Sequence, residues 1–223
     1  RRWGVFFCMG GTGKLVAELR KLIERSGIRI ILNTDIDEIT INCGQATGAR
    51  SVDGRVFTAD RVICNGDPPT VYSQMLGPGQ KRRKRALPES LTQYSMGLYV
   101  LFFGTKKVYS DMAHHTIWMG LRYKELLADI FERKILAEDF SLYIHRPTAT
   151  DPSFAPPGCD SFYVLCPVPN LLANINWEEK GPYLRDRIVA ALSNTIMPKL
   201  ETTISDDFWM TPEDFKSDYR SMH

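Results

Sequence analysis

The sequence predicts a mixed α/β and α+β chain: an α/β portion over residues 1–77, then an antiparallel sheet with flanking helices over 78–223. Three observations carry this. A glycine-rich turn at Gly10, Gly11 and Gly13 is followed by an amphipathic stretch and an apolar run, the order of a β-α-β unit. Alternating segments joined by Asp53-Gly54 read as a meander. Beyond the Gly77-Pro-Gly79 break, strand-like aromatic segments dominate.

Taken in order, Val5–Cys8 is an apolar lead-in to the turn. Leu15, Val16, Leu19, Leu22 and Ile23 then share one face at spacings of three and four, which predicts a helix. Gly27 sits where a helix C-cap belongs, and Arg29–Asn33 reads as a buried strand. Thr34–Asn42, Ala46–Val52 and Val56–Ala59 form the expected meander. Arg61–Cys64 is one more short buried strand, ending at Asn65-Gly-Asp-Pro-Pro69. Thr70–Leu76 reads as one or two helical turns, and the basic run Lys81–Arg85 follows.

In the second portion, Ser95–Gly104 is apolar on both faces and predicts a central strand. Ala113–Trp118, Phe140–His145, Ser161–Cys166 and Thr203–Trp209 read as further strands. Arg122–Glu132 is helical, with Leu126, Leu127 and Ile130 on one side. Residues 146–159 hold four of the 13 prolines and predict a loop. A last helix is expected from Pro182, with Leu184, Ile188, Leu192 and Ile196 at four-residue spacing, stopping before Pro198.

Composition narrows function. Hydrophobic content of 43% and charged content of 24% are those of an ordinary globular chain. A net charge of +2 argues against a dedicated nucleic-acid binder. The apolar run Met96–Phe103 is too short to span a bilayer, and no cleavable signal opens the sequence. Five scattered cysteines without a C-x-x-C pair fit a reduced, intracellular protein better than a disulfide or zinc framework. The sequence begins at Arg1, almost inside an apolar run, and ends at His223, so it is expected to be an internal piece of a longer protein.

The glycine turn completes neither of two phosphate-binding patterns. A Walker loop would need Gly where Cys8 stands and a hydroxyl where Leu15 stands, so no ligand for a phosphate-bound magnesium exists. A dinucleotide turn finds two of its glycines at Gly11 and Gly13 but meets Val16 at the third, where close helix packing needs Gly; Asp35 lies near the expected acidic position. A nicotinamide-type nucleotide binder using Gly11 and Gly13 stays open, beside a plain glycine turn. The run Lys81–Arg85 fits a solvated loop or an anionic membrane surface before nucleic-acid contact or nuclear import, the chain having no other nuclear feature. His114, His115 and His145 invite a metal reading, but adjacent strand residues point to opposite faces, so no metal site is expected. The aromatic strands of the second portion form either plain core or the wall of an apolar tunnel.

Longer strings now matter. Trp3–Val16, Asn65-Gly-Asp67, Ala113-His-His-Thr116, Ala137–Tyr143, Asp151–Pro157, Tyr163–Pro169 and Leu184-Arg-Asp-Arg-Ile188 resemble the bacterial-type phytoene desaturases, across essentially the whole chain. That resemblance implies a flavoprotein related to amine oxidases, with a discontinuous FAD domain (incomplete here) and a sheet-based substrate domain. It implies removal of a hydride from an allylic CH–CH position to flavin, on a membrane-dissolved carotenoid, by a cytoplasmic protein peripheral to the membrane. By position it places Ile36 at the adenine side of FAD, Asn65, Gly66 and Asp67 near the flavin, and Gly11 and Gly13 near the flavin–substrate junction. Tyr99, Phe103, Trp118, Tyr143 and Tyr163 become the expected substrate wall. The family's amino-terminal Gly-x-Gly-x-x-Gly turn and its carboxy-terminal glycine-rich segment are absent, so FAD affinity and activity of these residues alone are expected to be weak or nil. A related carotenoid isomerase or oxidase, or a non-catalytic carotenoid-binding module, remains an alternative. The catalytic base and oligomeric state are not indicated.

Overall fold

In the computed structural model, which describes residues 4, 6–76 and 92–221, helix α1 runs Gly11–Arg25 as the periodicity predicts. Its C-terminus is capped as expected: Gly27 takes φ +73° while Ile28 N–H donates to the Ile23 carbonyl and Gly27 N–H to that of Glu24. The apolar stripe is not covered. Leu15, Val16, Leu19 and Leu22 are about half exposed or more.

The described residues pack as two compact units. One holds the residues up to Lys21 with Ser95–Phe215, and the other those from Leu22 to Tyr94 with 216–221. The boundary expected near residue 77 falls among residues outside the described set. The glycine turn belongs with the large sheet rather than with the meander.

In the smaller unit, strands β1 (Ile36–Asn42), β2 (Gln45–Ser51) and β3 (Val56–Thr58) form the expected antiparallel meander. Cys43 and Gly44, both at positive φ, make the first two-residue turn, and Gly54 sits in the second. Pro68–Thr70 and a wide π-type turn over Val71–Met75 supply the predicted helical turns, and Leu76 bridges in parallel to Ile39. Two expectations fail here. Neither 28–33 nor 61–64 forms a strand, and Ile63 is 98% exposed. A β-branched run becomes a strand only when neighbours take its backbone groups and cover its faces, and among the described residues neither segment has a ladder partner.

In the larger unit, β4 (Gly97–Thr105), β5 (His115–Trp118), β6 (Leu142–His145), β7 (Asp160–Val168) and β8 (Ile204–Met210) form one antiparallel sheet in the order β5-β6-β7-β4-β8. β4 is an interior strand between β7 and β8, as its two-sided apolar sequence requires, and pairs with β7 from Gly97↔Val168 to Thr105↔Asp160. The helix Trp177–Ser193 supplies Leu184, Ile188, Val189 and Leu192 to the core of this sheet. This helix corrects the predicted start. It begins at Trp177, with Pro182 inside its second turn, because Asn176 and the acidic pair Glu178 and Glu179 open the helix earlier. Buried Tyr99, ring-stacked on Trp177, donates its hydroxyl to the Gly181 carbonyl at 2.9 Å. The loop 146–159 carries short turns at Pro147–Ala149 and Pro152–Phe154. The basic run Lys81–Arg85 lies outside the described residues.

Candidate functional site

Strand alternation separates two kinds of aromatic residue on β4. Tyr99, Leu101 and Phe103 are buried in the core, whereas Phe102 is only partly buried on the opposite face. Phe102 stacks on Phe208 of β8 at 4.7 Å between ring centres and leans on Tyr163 of β7 at 5.9 Å. Together with Phe7, Phe154, Phe162 and His145 these rings line a cleft of about 430 Å³, a size typical of small-molecule sites.

One wall of the cleft is the glycine turn. Asp151 accepts the Gly10 N–H at 2.9 Å and also the N–H and hydroxyl of Ser153, whose hydroxyl most of all holds its carboxyl below the usual range. Gly11 has φ +80°, and a Cβ there would lie 2.7 Å from the Phe154 ring. The turn is therefore glycine because Phe154 occupies the space, and Phe7 meets Phe154 at 6.0 Å. Gly13, by contrast, faces open space.

The other end of the cleft reaches a histidine cluster. His115 and His145 are direct cross-strand partners on β5 and β6, and His114 lies just before β5. The strand-alternation argument fails at that point, because His114 is in a bend and its ring comes to the same side. One nitrogen from each of the three rings lies within 4.8 Å of the others. The Nε2 atoms of His114 and His145 are 2.7 Å apart, within hydrogen-bond reach. His114 Nδ1 meets the Thr150 hydroxyl, and His115 Nδ1 the Tyr143 hydroxyl. His145 Nδ1 is buried without a hydrogen-bond partner among the described residues. Burial and then the neighbouring rings of His114 and His115 push His145 down to about 4, while burial pushes Tyr143 up to about 12.

Beneath the cluster, Asp160 accepts from Arg146 Nε at 3.0 Å, the Tyr109 N–H at 2.7 Å and the Thr148 hydroxyl at 2.6 Å, all buried. Arg146 also donates to the Met112 carbonyl. This network fixes the chain on both sides of the cluster, at 109–112 and 146–148.

Of the predicted substrate residues, Phe103 and Tyr163 line the cleft, and Tyr143 touches Tyr163 at 5.8 Å. Tyr99 is core. Trp118 borders a second cleft of about 520 Å³ with Leu121, Phe140 and Arg187. Phe7, Phe154, Phe208 and His145 also line the first cleft, and no local pattern in the sequence marks them for this role. Of the predicted cofactor residues, Gly11 and Gly13 open α1, Ile36 is half-buried at the start of β1, and Asn65, Gly66 and Asp67 lead into the Pro68 turn.

The family profile of flavin containing amine oxidoreductases matches residues 2–157. The chain belongs to this family. Across its length it is similar to bacterial phytoene desaturases. It is 44% identical to a lycopene-forming phytoene desaturase of Paracoccus sp., over all of this chain and 45% of that protein. It is 38% identical to the neurosporene-forming enzyme of Rhodobacter capsulatus, over 99% of this chain and 43% of that one. The chain thus spans under half the length of these curated relatives. An oxidoreductase from Methanosarcina mazei shares the fold over 91% of this chain and 43% of its own, with a TM-score of 0.57 at 17% identity.

The family is flavin-containing, and the described residues do not by themselves build a pyrophosphate cradle. Residues 6–8 before the glycine turn are not a strand, Val16 stands at the third glycine position, and Phe154 fills the space beside Gly11.

Proposed function

We propose that this chain is the polyene-binding part of an FAD-dependent carotenoid desaturase, with phytoene as substrate, and that it is inactive without the rest of the enzyme. The aromatic cleft supports this reading. Its stacked Phe102, Phe208 and Tyr163 rings offer a flat apolar surface suited to an elongated hydrocarbon, in a chain 44% identical to a phytoene desaturase. The chemistry proposed is oxidation at a CH–CH bond, flavin being the acceptor in the whole protein. Gly11, Gly13, Ile36, Asn65, Gly66 and Asp67 are proposed as this chain's share of its surroundings.

A membrane surface is the proposed source of substrate. Among the described residues no helix is long and apolar enough to cross a membrane. Ile117, Met119 and Leu121 are nevertheless strongly exposed next to Arg122 and Lys124, which suits shallow insertion beside anionic headgroups.

The test uses the whole gene product with phytoene and FAD in liposomes. Polyene absorbance is expected to move to longer wavelength, and Phe102→Ala is expected to slow it about tenfold, the loss of roughly one aromatic contact. Unchanged absorbance with the wild-type protein rules desaturation out. Geometric isomerisation without lengthening would indicate an isomerase, and carotenoid co-elution without turnover a binding module.

A further inference from the structure

We propose that His114, His115 and His145 form a binding site for one divalent transition-metal ion of the zinc class. The inference is independent of the desaturase reading and rests on three features of the cluster.

The first is convergence. Three imidazoles from two neighbouring strands and the bend before one of them bring a nitrogen each to within 4.8 Å of the others. Zinc–nitrogen bonds of about 2.0–2.1 Å put tetrahedral ligand nitrogens roughly 3.4 Å apart. The 2.7 Å separation of His114 and His145 Nε2 therefore opens by well under an ångström as an ion replaces their hydrogen bond, and the remaining separations close.

The second is orientation from outside. His114 Nδ1 is tied to Thr150, which leaves its Nε2 against His145, and His115 Nδ1 is tied to Tyr143; His145 Nδ1 has no such tie among the described residues. A carboxylate, carbonyl or water on the far ring nitrogen is the usual support of a metal-bound histidine, and here two hydroxyls take that place. The network around Asp160 holds residues 109–112 and 146–148, so the adjoining His114 and His145 are carried on fixed backbone.

The third is ligand chemistry. The polar partners of the cluster are hydroxyls and other imidazoles, with no carboxylate among those described. Neutral nitrogen ligands favour zinc, copper or nickel over calcium or magnesium. His115 is exposed, which leaves a fourth position open to water or to a ligand from the cleft that His145 also lines.

The experiment is titration of the chain with ZnCl2 by isothermal calorimetry, and with CoCl2 by visible spectroscopy, in a Cys43→Ser/Cys64→Ser background that removes the two exposed thiols. One ion per chain is expected, with the d–d bands of tetrahedral cobalt. His145→Gln is expected to weaken binding more than about 100-fold, and the supporting Tyr143→Phe about tenfold. Circular dichroism establishes that each variant is folded. Should His145→Gln not fold, the Tyr143→Phe and wild-type titrations decide. Absence of zinc uptake at millimolar concentration overturns the proposal and leaves a hydrogen-bonded histidine chain. So does uptake that persists unchanged in both variants.

Discussion

Asp160→Ala removes the carboxylate on which the loops beside the cleft converge. Asp160 is 2% exposed and Arg146 7%, so the guanidinium left behind cannot recover its hydration in place. Breaking one side of such a buried pair costs about 3–5 kcal/mol, because the remaining charge is uncompensated. The Tyr109 N–H and the Thr148 hydroxyl lose their acceptor as well. These losses overlap, so we expect a total near 4 kcal/mol rather than their sum. At a urea dependence of about 2 kcal/mol/M, the midpoint of unfolding drops by roughly 2 M. Adding Arg146→Met to Asp160→Ala removes the stranded charge, and the double variant is expected to regain at least about 1 kcal/mol over the single one. Urea unfolding followed by tryptophan fluorescence measures both. A single-variant loss below about 1 kcal/mol, with no recovery in the double, would refute the claim that this pair is sealed from water.

Gly11→Ala should lose about 1–2 kcal/mol from its left-handed backbone and a further ~1–3 from the Phe154 ring, whereas Gly13→Ala, in open space, should be neutral or gain up to about 1 kcal/mol. Thermal unfolding separates the two, and equal losses would show that the turn is not held as described. Burial pushes the Cys166 thiol up to about 12, so at mildly alkaline pH it stays protonated and shielded. Iodoacetamide followed by mass spectrometry should label exposed Cys43 and Cys64 and spare Cys166 until the chain is denatured; early Cys166 labelling would contradict its burial.

Much of the architecture could be read from residue order. A two-sided apolar run located β4, two-residue alternation located β6 and β7, and Asp53-Gly54 marked a hairpin turn of the meander. The failures have a common cause in what surrounds a segment. Arg29–Leu32 and Arg61–Cys64 have the composition of buried strands, but composition does not supply the neighbours that make a ladder. The helix containing Pro182 begins earlier than proline placement indicates, since its first turn is set by Trp177–Glu179. For the site, alternation alone could have moved attention from Tyr99 to Phe102, whose parity puts it on the other face. No local signal could have joined Gly10 to Asp151, which are 141 residues apart in the chain. Nor could strand parity foresee the histidine cluster, because it speaks only for residues already inside the strand, and His114 stops one short.

That Asp151 link has a mechanical consequence. A single side chain both shapes its own turn, through Ser153, and grips the backbone next to Gly11, so the rings of Phe7 and Phe154 form two jaws on a shared pin. A bulky guest that needs the jaws apart must first unfasten one carboxylate from one amide. Because that carboxyl ionises more readily than an ordinary one, the pin stays fastened well into mild acid.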